Sequence, residues 1–276
     1  MNQKYSVLMS IYCKETSEHL SLSLDSMLNQ TVKPEEIVIV EDGPLTSDLH
    51  MMIEKYVSKY PDVFTIHRIK KNHGLGYALA EGLTICRNDL VARMDTDDYA
   101  IPTRMQVELE LMCKNNLDIV GSQVSEFEEN IGDIKTHSKL PVTYQEIVRY
   151  SKIRNPFRHP TVLFRREVAL KAGNYSDEYP YFEDWDLFYR MLQNGAMAQN
   201  VDQELVRMRI SPDFYLRRGG VQYAKYIWKF KSTLFKCNYI NLVELCISAF
   251  PHMLISVMPN NIRSYVYNNL LRKNNG

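Results

Sequence analysis

The chain has 276 residues, 45% of them hydrophobic, and its 33 Lys and Arg balance 33 Asp and Glu. Such a chain buries a full core, which excludes a disordered or fibrous protein, and no global charge draws it to nucleic acid. Its five cysteines (Cys13, Cys86, Cys113, Cys237 and Cys246) are widely spaced and form no C-x-x-C, which argues against disulfides and zinc sites and for reduced thiols.

The first residues lack the succession of a secretory signal and run straight into a strand-like segment. Residues 6–11 read as a buried strand, 17–29 as a helix and 36–40 as a second strand. Residues 47–60 carry helical spacing through Leu49, Met52, Ile53 and Tyr56. A third strand is expected at 64–69, a helix at 76–86 and a fourth strand at 90–94. This alternation is the pattern of a parallel sheet with crossover helices. Ligands in open α/β sheets sit beyond the carboxyl ends of the strands, so residues 12–15, 41–43, 72–76 and 95–98 should line one crevice. After Pro102 a helix at 104–115 leads to a strand at 119–124 and a polar stretch through Lys139. A second cluster spans 155–160, continues as a strand at 161–164 and reaches Tyr181-Phe182-Glu183-Asp184-Trp185-Asp186, where a helix at 185–194 closes at Gly195. From residue 214 the composition changes. Arg217, Arg218, Lys225, Lys229, Lys231 and Lys236 interleave with Tyr215, Tyr223, Tyr226, Trp228, Phe230 and Phe235, and no acid falls between Asp213 and Glu244. The most apolar stretch, 242–258, is interrupted by Glu244, Pro251 and His252, so it lacks the roughly 20 clean apolar residues of a spanning helix.

The richest stretch chemically is Val91-Ala92-Arg93-Met94-Asp95-Thr96-Asp97-Asp98, a strand that delivers carboxylates to a sheet edge. Oxygen ligands suit a hard cation such as Mg²⁺ or Mn²⁺, which takes one or two carboxylates plus substrate phosphates; the alternative is a solvated acidic loop. Asp42 follows Ile37-Val38-Ile39-Val40 and precedes Gly43-Pro44, so it either accepts hydrogen bonds from a base or ribose or shapes a turn. His73-Gly74-Leu75-Gly76 lacks the third glycine of a dinucleotide fingerprint and follows the wrong strand, but Gly74 and Gly76 before a helix allow close approach of a phosphate-bearing ligand. Simple loop closure is the other reading. Glu183 and Asp184 complement a helix dipole, and their crowding beside aromatics also raises a carboxylate's pKa, as a general base for a sugar hydroxyl requires. His159 reads as a structural or substrate-positioning histidine. The basic aromatic segment matches an interfacial helix on anionic lipid, a packed helix pair, or a single-strand nucleic-acid channel whose binding falls with salt.

Taken together these segments resemble family 2 glycosyltransferases of the GT-A fold that build bacterial capsule, exopolysaccharide or O-antigen. The matching pieces lie at 6–15, 36–43, 72–82, 92–104 with its Arg-Met-Asp-Thr-Asp-Asp core, 155–166, 173–175, 183–190 and 217–220, in the family's order. The resemblance implies an α/β fold with a mostly parallel central sheet flanked by helices. A GT-A domain at 1–215 would comprise a nucleotide-sugar half at about 1–103 and an acceptor half at 104–215, with a C-terminal amphipathic helical extension at 216–276. It implies that Tyr12, Glu15 and Asp42 hold the nucleotide and that Arg93 and Asn72 position the donor. Asp95 and Asp97 form the metal-binding D-x-D for Mn²⁺ or Mg²⁺, Asp184 beside Glu183 is the catalytic base, and His159 and Trp185 border the acceptor. Ser10 and Cys13 stand where the family carries Pro and Asn.

The implied reaction is a single in-line displacement with inversion, from a nucleotide sugar, UDP-linked by expectation, to a saccharide on a lipid such as undecaprenyl diphosphate. The expected location is cytoplasmic, peripheral on the inner face of the bacterial plasma membrane through the C-terminal region. A nucleotidyltransferase making sugar nucleotides is the alternative, but Tyr12-Cys13-Lys14-Glu15 lacks its glycine-and-lysine-rich loop. A non-catalytic sugar-nucleotide binding module is the other.

Overall fold

The computed structural model describes residues 3–211, 217–260 and 262–263. The first half alternates four strands with three crossover helices, the first two of them capped by threonine. β1 (Tyr5–Ile11), β2 (Glu36–Asp42), β3 (Phe64–Ile69) and β4 (Leu90–Arg93) pair in parallel in the order β3-β2-β1-β4. Three helices cross between them: α1 (Ser17–Leu28), α2 (Ser47–Lys59) and α3 (Leu75–Ile85). Thr16 and Thr46 accept from His19 and Leu49 N–H at the starts of α1 and α2, satisfying donors that a helix start otherwise leaves unpaired.

Alternation along β1 sorts the core. Val7, Met9 and Ile11 pack with α1 and α2, while Leu8 packs with Val38, Val40 and α3 on the other face. α3 lies so close that a Cβ on Gly82 would meet Leu8 Cδ1 at 2.5 Å and Val40 Cγ2 at 2.6 Å.

Beyond β4 the sheet becomes mixed. β5 (Tyr99–Ala100), α4 (Arg104–Asn115), β6 (Ile119–Phe127) and β7 (Ile134–His137) precede α5 (Tyr144–Ser151), β8 (Leu163–Arg165) and α6 (Arg166–Lys171). α7 (Glu183–Gln193) and β9 (Ala198–Arg209) follow, and the full order is β3-β2-β1-β4-β8-β6-β9-β5, with β7 on β6. β8 runs antiparallel to both β4 and β6, whereas β9 runs parallel to β6. The strand expected at 161–164 is therefore divided. His159–Thr161 form a 3-10 turn with Pro160 inside it, and pairing begins only at Leu163, in keeping with proline's missing donor.

α8 (Val221–Lys236) and α9 (Leu242–Val257) form a hairpin joined through Asn238 at φ 57°. Its inner face is not a free extension. Tyr223, Ile227, Phe230 and Leu234 of α8 and Leu245 and Ala249 of α9 pack with Tyr179, Phe182, Trp185 and Tyr189 around α7. Phe182 stacks on Phe230 with centroids 5.0 Å apart. Lys231 is fully buried: Nζ lies 3.7 Å from the Trp185 ring centroid and donates to Ile153 O at 3.0 Å. The aromatics expected to face a lipid or a nucleic acid therefore divide, with Tyr223 and Phe230 in the core and Trp228 and Phe235 outside. The boundary expected between residues 215 and 216, and Tyr215 itself, lie outside the described residues. No described helix is long and apolar enough to cross a membrane.

Candidate active site

Parallel registry sets the geometry. Ile11 pairs with Glu41 and Leu8 with Arg93, so the segments after β1, β2 and β4 leave the sheet at one edge. After β4 the chain turns through Asp95-Thr96-Asp97-Asp98 and is fixed from both sides. Ser23 of α1 donates to Asp95 O at 2.6 Å, and β9 closes the far end, where Arg209 N–H donates to Asp98 Oδ1 at 2.7 Å and Arg209 Nε to Asp97 O at 3.1 Å. β5 pairs with β9 through Tyr99 and Arg207 to hold this contact.

Asp95, Asp97 and Asp98 each bring a carboxylate oxygen within 4.8 Å of the others. Burial first, then the neighbouring charges of Asp95 and Glu15, pushes Asp97 up to about 7. Asp98 is raised well above the usual carboxylate range by burial and by Asp97 and Asp95, and its Oδ2 is buried with no hydrogen-bond partner among the described residues. A divalent cation relieves this repulsion, and an all-oxygen donor set fits a hard ion. The residues present therefore fit Mn²⁺ or Mg²⁺, with Asp98 joining the two acids expected.

Glu15 ties the loop after β1 to the acid loop. Its Oε1 accepts from Thr16 N–H at 2.9 Å and its Oε2 from the Thr96 hydroxyl at 3.0 Å. Tyr12 is 38% exposed at the mouth, with Arg217, Glu15 and Asp97 in electrostatic reach of its hydroxyl. Asp42 stands where expected but spends both carboxylate oxygens on the chain: Oδ1 accepts from His73 N–H at 2.8 Å and Oδ2 from Gly74 N–H at 2.9 Å. Asn72 Nδ2 donates to Asp42 O at 3.1 Å. Asp42 thus shapes the loop, and Asn72 braces it.

The two glycines separate in role. Gly74 starts α3 at φ +93° with open space where a Cβ would be, which leaves room for a ligand. Gly76 is buried, and a Cβ there would lie 2.2 Å from Ser176 O. Its small size serves packing against the 174–177 loop.

Across the edge, Glu183 and Asp184 occupy the first turn of α7. Burial and then Asp184 push Glu183 up to about 7. Asp184 is raised by burial against the hydrogen bond from Trp185 N–H to Oδ1 at 2.7 Å, while Asn155 Nδ2 donates to its Oδ2 at 2.7 Å. Arg93 lies between the two acid groups. Its guanidinium is 1% exposed, pairs with Asp95, and lowers Asp97, Asp98, Glu183 and Asp184 alike. Arg104 anchors it from below, donating to Arg93 O at 3.0 Å.

Two expected acceptor residues are placed elsewhere. His159 is buried, its Nε2 within 2.9 Å of the Tyr175 hydroxyl, and burial and Arg93 hold its pKa well below the usual imidazole value. It is a neutral packing histidine behind the site. Trp185 is 5% exposed, donates Nε1–H to Ser151 O at 2.8 Å, and faces Lys231, because the third residue of that helix points into the hairpin interface. The exposed aromatic beside the pair is Tyr181, 46% exposed at φ 69° with its ring edge on Tyr223. Asp98, Asn155, Arg209 and Tyr181 were not singled out from sequence. The run Asp97-Asp98 carries a signal for the first, whereas Arg209 reaches the loop through its backbone amide and its Nε from a strand more than a hundred residues away, which no local pattern encodes.

Against known proteins, a model described as glycosyl transferase family 2 matches residues 6–173. The UDP-Gal:alpha-D-GlcNAc-diphosphoundecaprenol beta-1,3-galactosyltransferase of Escherichia coli is 38% identical over 98% of this chain and 97% of its own. The amylovoran biosynthesis glycosyltransferase AmsE of Erwinia amylovora is 35% identical over 80% of this chain and 82% of its own. Two solved structures share the fold. S. aureus TarS 1-349 in complex with UDP-GlcNAc has a TM-score of 0.64 at 15% identity, covering 96% of this chain and 73% of its own. The mannosyltransferase PcManGT from Pyrobaculum calidifontis, in complex with GDP-Man and Mn2+, has 0.65 at 13%, covering 98% and 82%.

Proposed function

The chain belongs to glycosyl transferase family 2, a glycosyltransferase with the GT-A fold, and from that premise we propose that it moves a sugar from a UDP-sugar to a saccharide on undecaprenyl diphosphate, with inversion. The observation that carries this reading is the pairing, across one buried arginine, of an acid cluster fitted to a metal with an acid pair fitted to a base. The E. coli relative, whose name gives UDP-Gal and a diphosphoundecaprenol acceptor, makes those the first substrates to try.

Asp95, Asp97 and Asp98 would hold Mn²⁺ or Mg²⁺, which supplies Lewis-acid stabilisation of the departing nucleoside diphosphate. Arg93 stabilises negative charge between the two clusters, and its burial makes that charge worth more than it is in water. Tyr12 and the opening at Gly74 border the nucleotide. Asp184 accepts the proton of the attacking hydroxyl; Asn155 and the Trp185 amide orient its carboxylate, and burial tunes it upward as a base near neutral pH requires. Tyr181, held at a left-handed φ beside this pair, offers an aromatic face for the acceptor sugar.

Peripheral placement on the inner face of the plasma membrane is supported by the outer face of the hairpin, where Val243, Ile247, Phe250, Leu254 and Val257 of α9 stand 49–68% exposed at spacings of four and three residues. The test is transfer from UDP-Gal to a GlcNAc-diphosphate lipid with Mn²⁺, read as the disaccharide lipid. Asp184→Asn should abolish product while UDP still binds. Transfer retained by that variant would remove Asp184 from the role of base.

A further inference from the structure

The exposed apolar stripe on α9 has a definite end. Gly220 N–H donates to Ser256 O at 2.8 Å, and Gly219 packs so tightly on Arg263 that a Cβ would fall 2.0 Å from its guanidinium. Arg263 in turn donates to Ser256 O and Met258 O. The turn that carries Arg217 and Arg218 is thereby fastened to the last turn of α9, which brings Val221 to the end of the stripe at Leu254 and Val257, the three being 66%, 59% and 49% exposed. Two arginines meet there. Arg218 is in electrostatic reach of Glu183 and Asp184, and Arg154, exposed, directly precedes the Asn155 that holds Asp184. Both also reach His252 on the inner side of α9.

The end of an apolar stripe and a guanidinium in reach of the carboxylate base thus share one turn, with a second guanidinium next to the residue that holds that base. A lipid-diphosphate saccharide has the same succession: a chain, two phosphates, and a sugar whose reacting hydroxyl lies one ring from the diphosphate. We propose that Arg154 and Arg218 bind the diphosphate of the acceptor and that Val221, Val257, Leu254 and Phe250 bind the first units of its polyprenyl chain. The inference rests on the glycosyltransferase reading and adds the place where the non-sugar half of the acceptor is held. Guanidiniums suit phosphate oxygens through paired, charge-assisted hydrogen bonds, and the apolar side chains supply the length-dependent part of the affinity.

The experiment titrates full-length protein with farnesyl diphosphate, farnesol and inorganic pyrophosphate by calorimetry, in EDTA so that no metal-held diphosphate contributes. Farnesyl diphosphate should bind about tenfold or more tightly than either fragment. The double variant Arg154→Gln, Arg218→Gln should weaken it by roughly 10- to 100-fold, as loss of charged hydrogen bonds implies. Leu254→Gln should weaken it by about tenfold while leaving pyrophosphate unchanged; all three side chains are outside the core, and melting curves check the fold. Binding no tighter than farnesol, or unmoved by the double variant, overturns the proposal. So does binding of anionic vesicles through the stripe without any of farnesyl diphosphate, which would make the face a membrane surface alone. Mn²⁺-dependent hydrolysis of UDP-sugar, measured on the same preparation, separates the two readings: its presence keeps the glycosyltransferase assignment when the lipid site fails.

Discussion

The acid loop at 95–98 and the acid pair at 183–184 contain the same functional groups, and burial raises Asp97, Asp98, Glu183 and Asp184 above the usual carboxylate range, yet they are built for opposite purposes. In the loop, three carboxylates converge and Asp98 Oδ2 is left without a partner, so the repulsion is unresolved until a cation arrives. In the pair, Asp184 already receives one hydrogen bond on each oxygen, so it is oriented in the absence of any ion. An elevated carboxylate therefore does not by itself announce a base or a ligand; what distinguishes them is whether its lone pairs converge with others or are already directed.

Replacing one member on each side breaks this contrast most sharply. Asp97→Ala should abolish the increase in melting temperature that Mn²⁺ gives with UDP and reduce transfer below detection, while Asp184→Asn should keep that increase and lower kcat by roughly 10²- to 10⁴-fold, the range for loss of a general base. Equal loss of the metal response in both would erase the distinction. Arg93→Met should impair both sides together, lowering kcat/KM by about 10²-fold or more, as loss of one preorganised electrostatic group does. Asn155→Ala should act on the pair alone, with about a tenfold fall in kcat and little change in UDP binding, because it removes one oriented charged hydrogen bond.

The smallest effects are in pH dependence. Transfer should rise with pH through an acid limb above the usual carboxylate range, since the base must be unprotonated and burial raises it, and Glu183→Gln should move that limb lower by removing the neighbouring acid. The sign for stability is the reverse. Glu183 holds its proton more tightly folded than unfolded, so its contribution is present at low pH and is lost as pH rises through about 7. Glu183→Gln should therefore gain melting temperature relative to the parent at pH 8 compared with pH 5. A parallel shift at both pH values would show that Glu183 is not raised.

The parallel half was legible in sequence because its inner strands are apolar runs buried on both faces: Ile37-Val38-Ile39-Val40 needs no partner to be recognised. β9, Ala198–Arg209, carries Asp202, Glu204, Arg207 and Arg209 and becomes a strand through pairing with β6, a long-range cause that local pattern does not contain. Adjacency was equally legible in the site, since Asp95, Asp97, Glu183 and Asp184 advertise themselves by crowding. Facing was not. Trp185 is next to Asp184 in the chain but points away from it into the hairpin, and Gly76 is small on account of Ser176, a hundred residues later in the chain.

Lys231 carries a practical consequence for anyone dividing this chain. Its amino group, dry above Trp185 and bonded to Ile153 O, joins the last helices to the segment that presents Asn155 to Asp184. A fragment ending near residue 215 would lose that tether and bare Phe182, Trp185 and Tyr189 at once. The smallest piece able to turn over therefore includes the hairpin, and hybrids with related enzymes should exchange it together with α7.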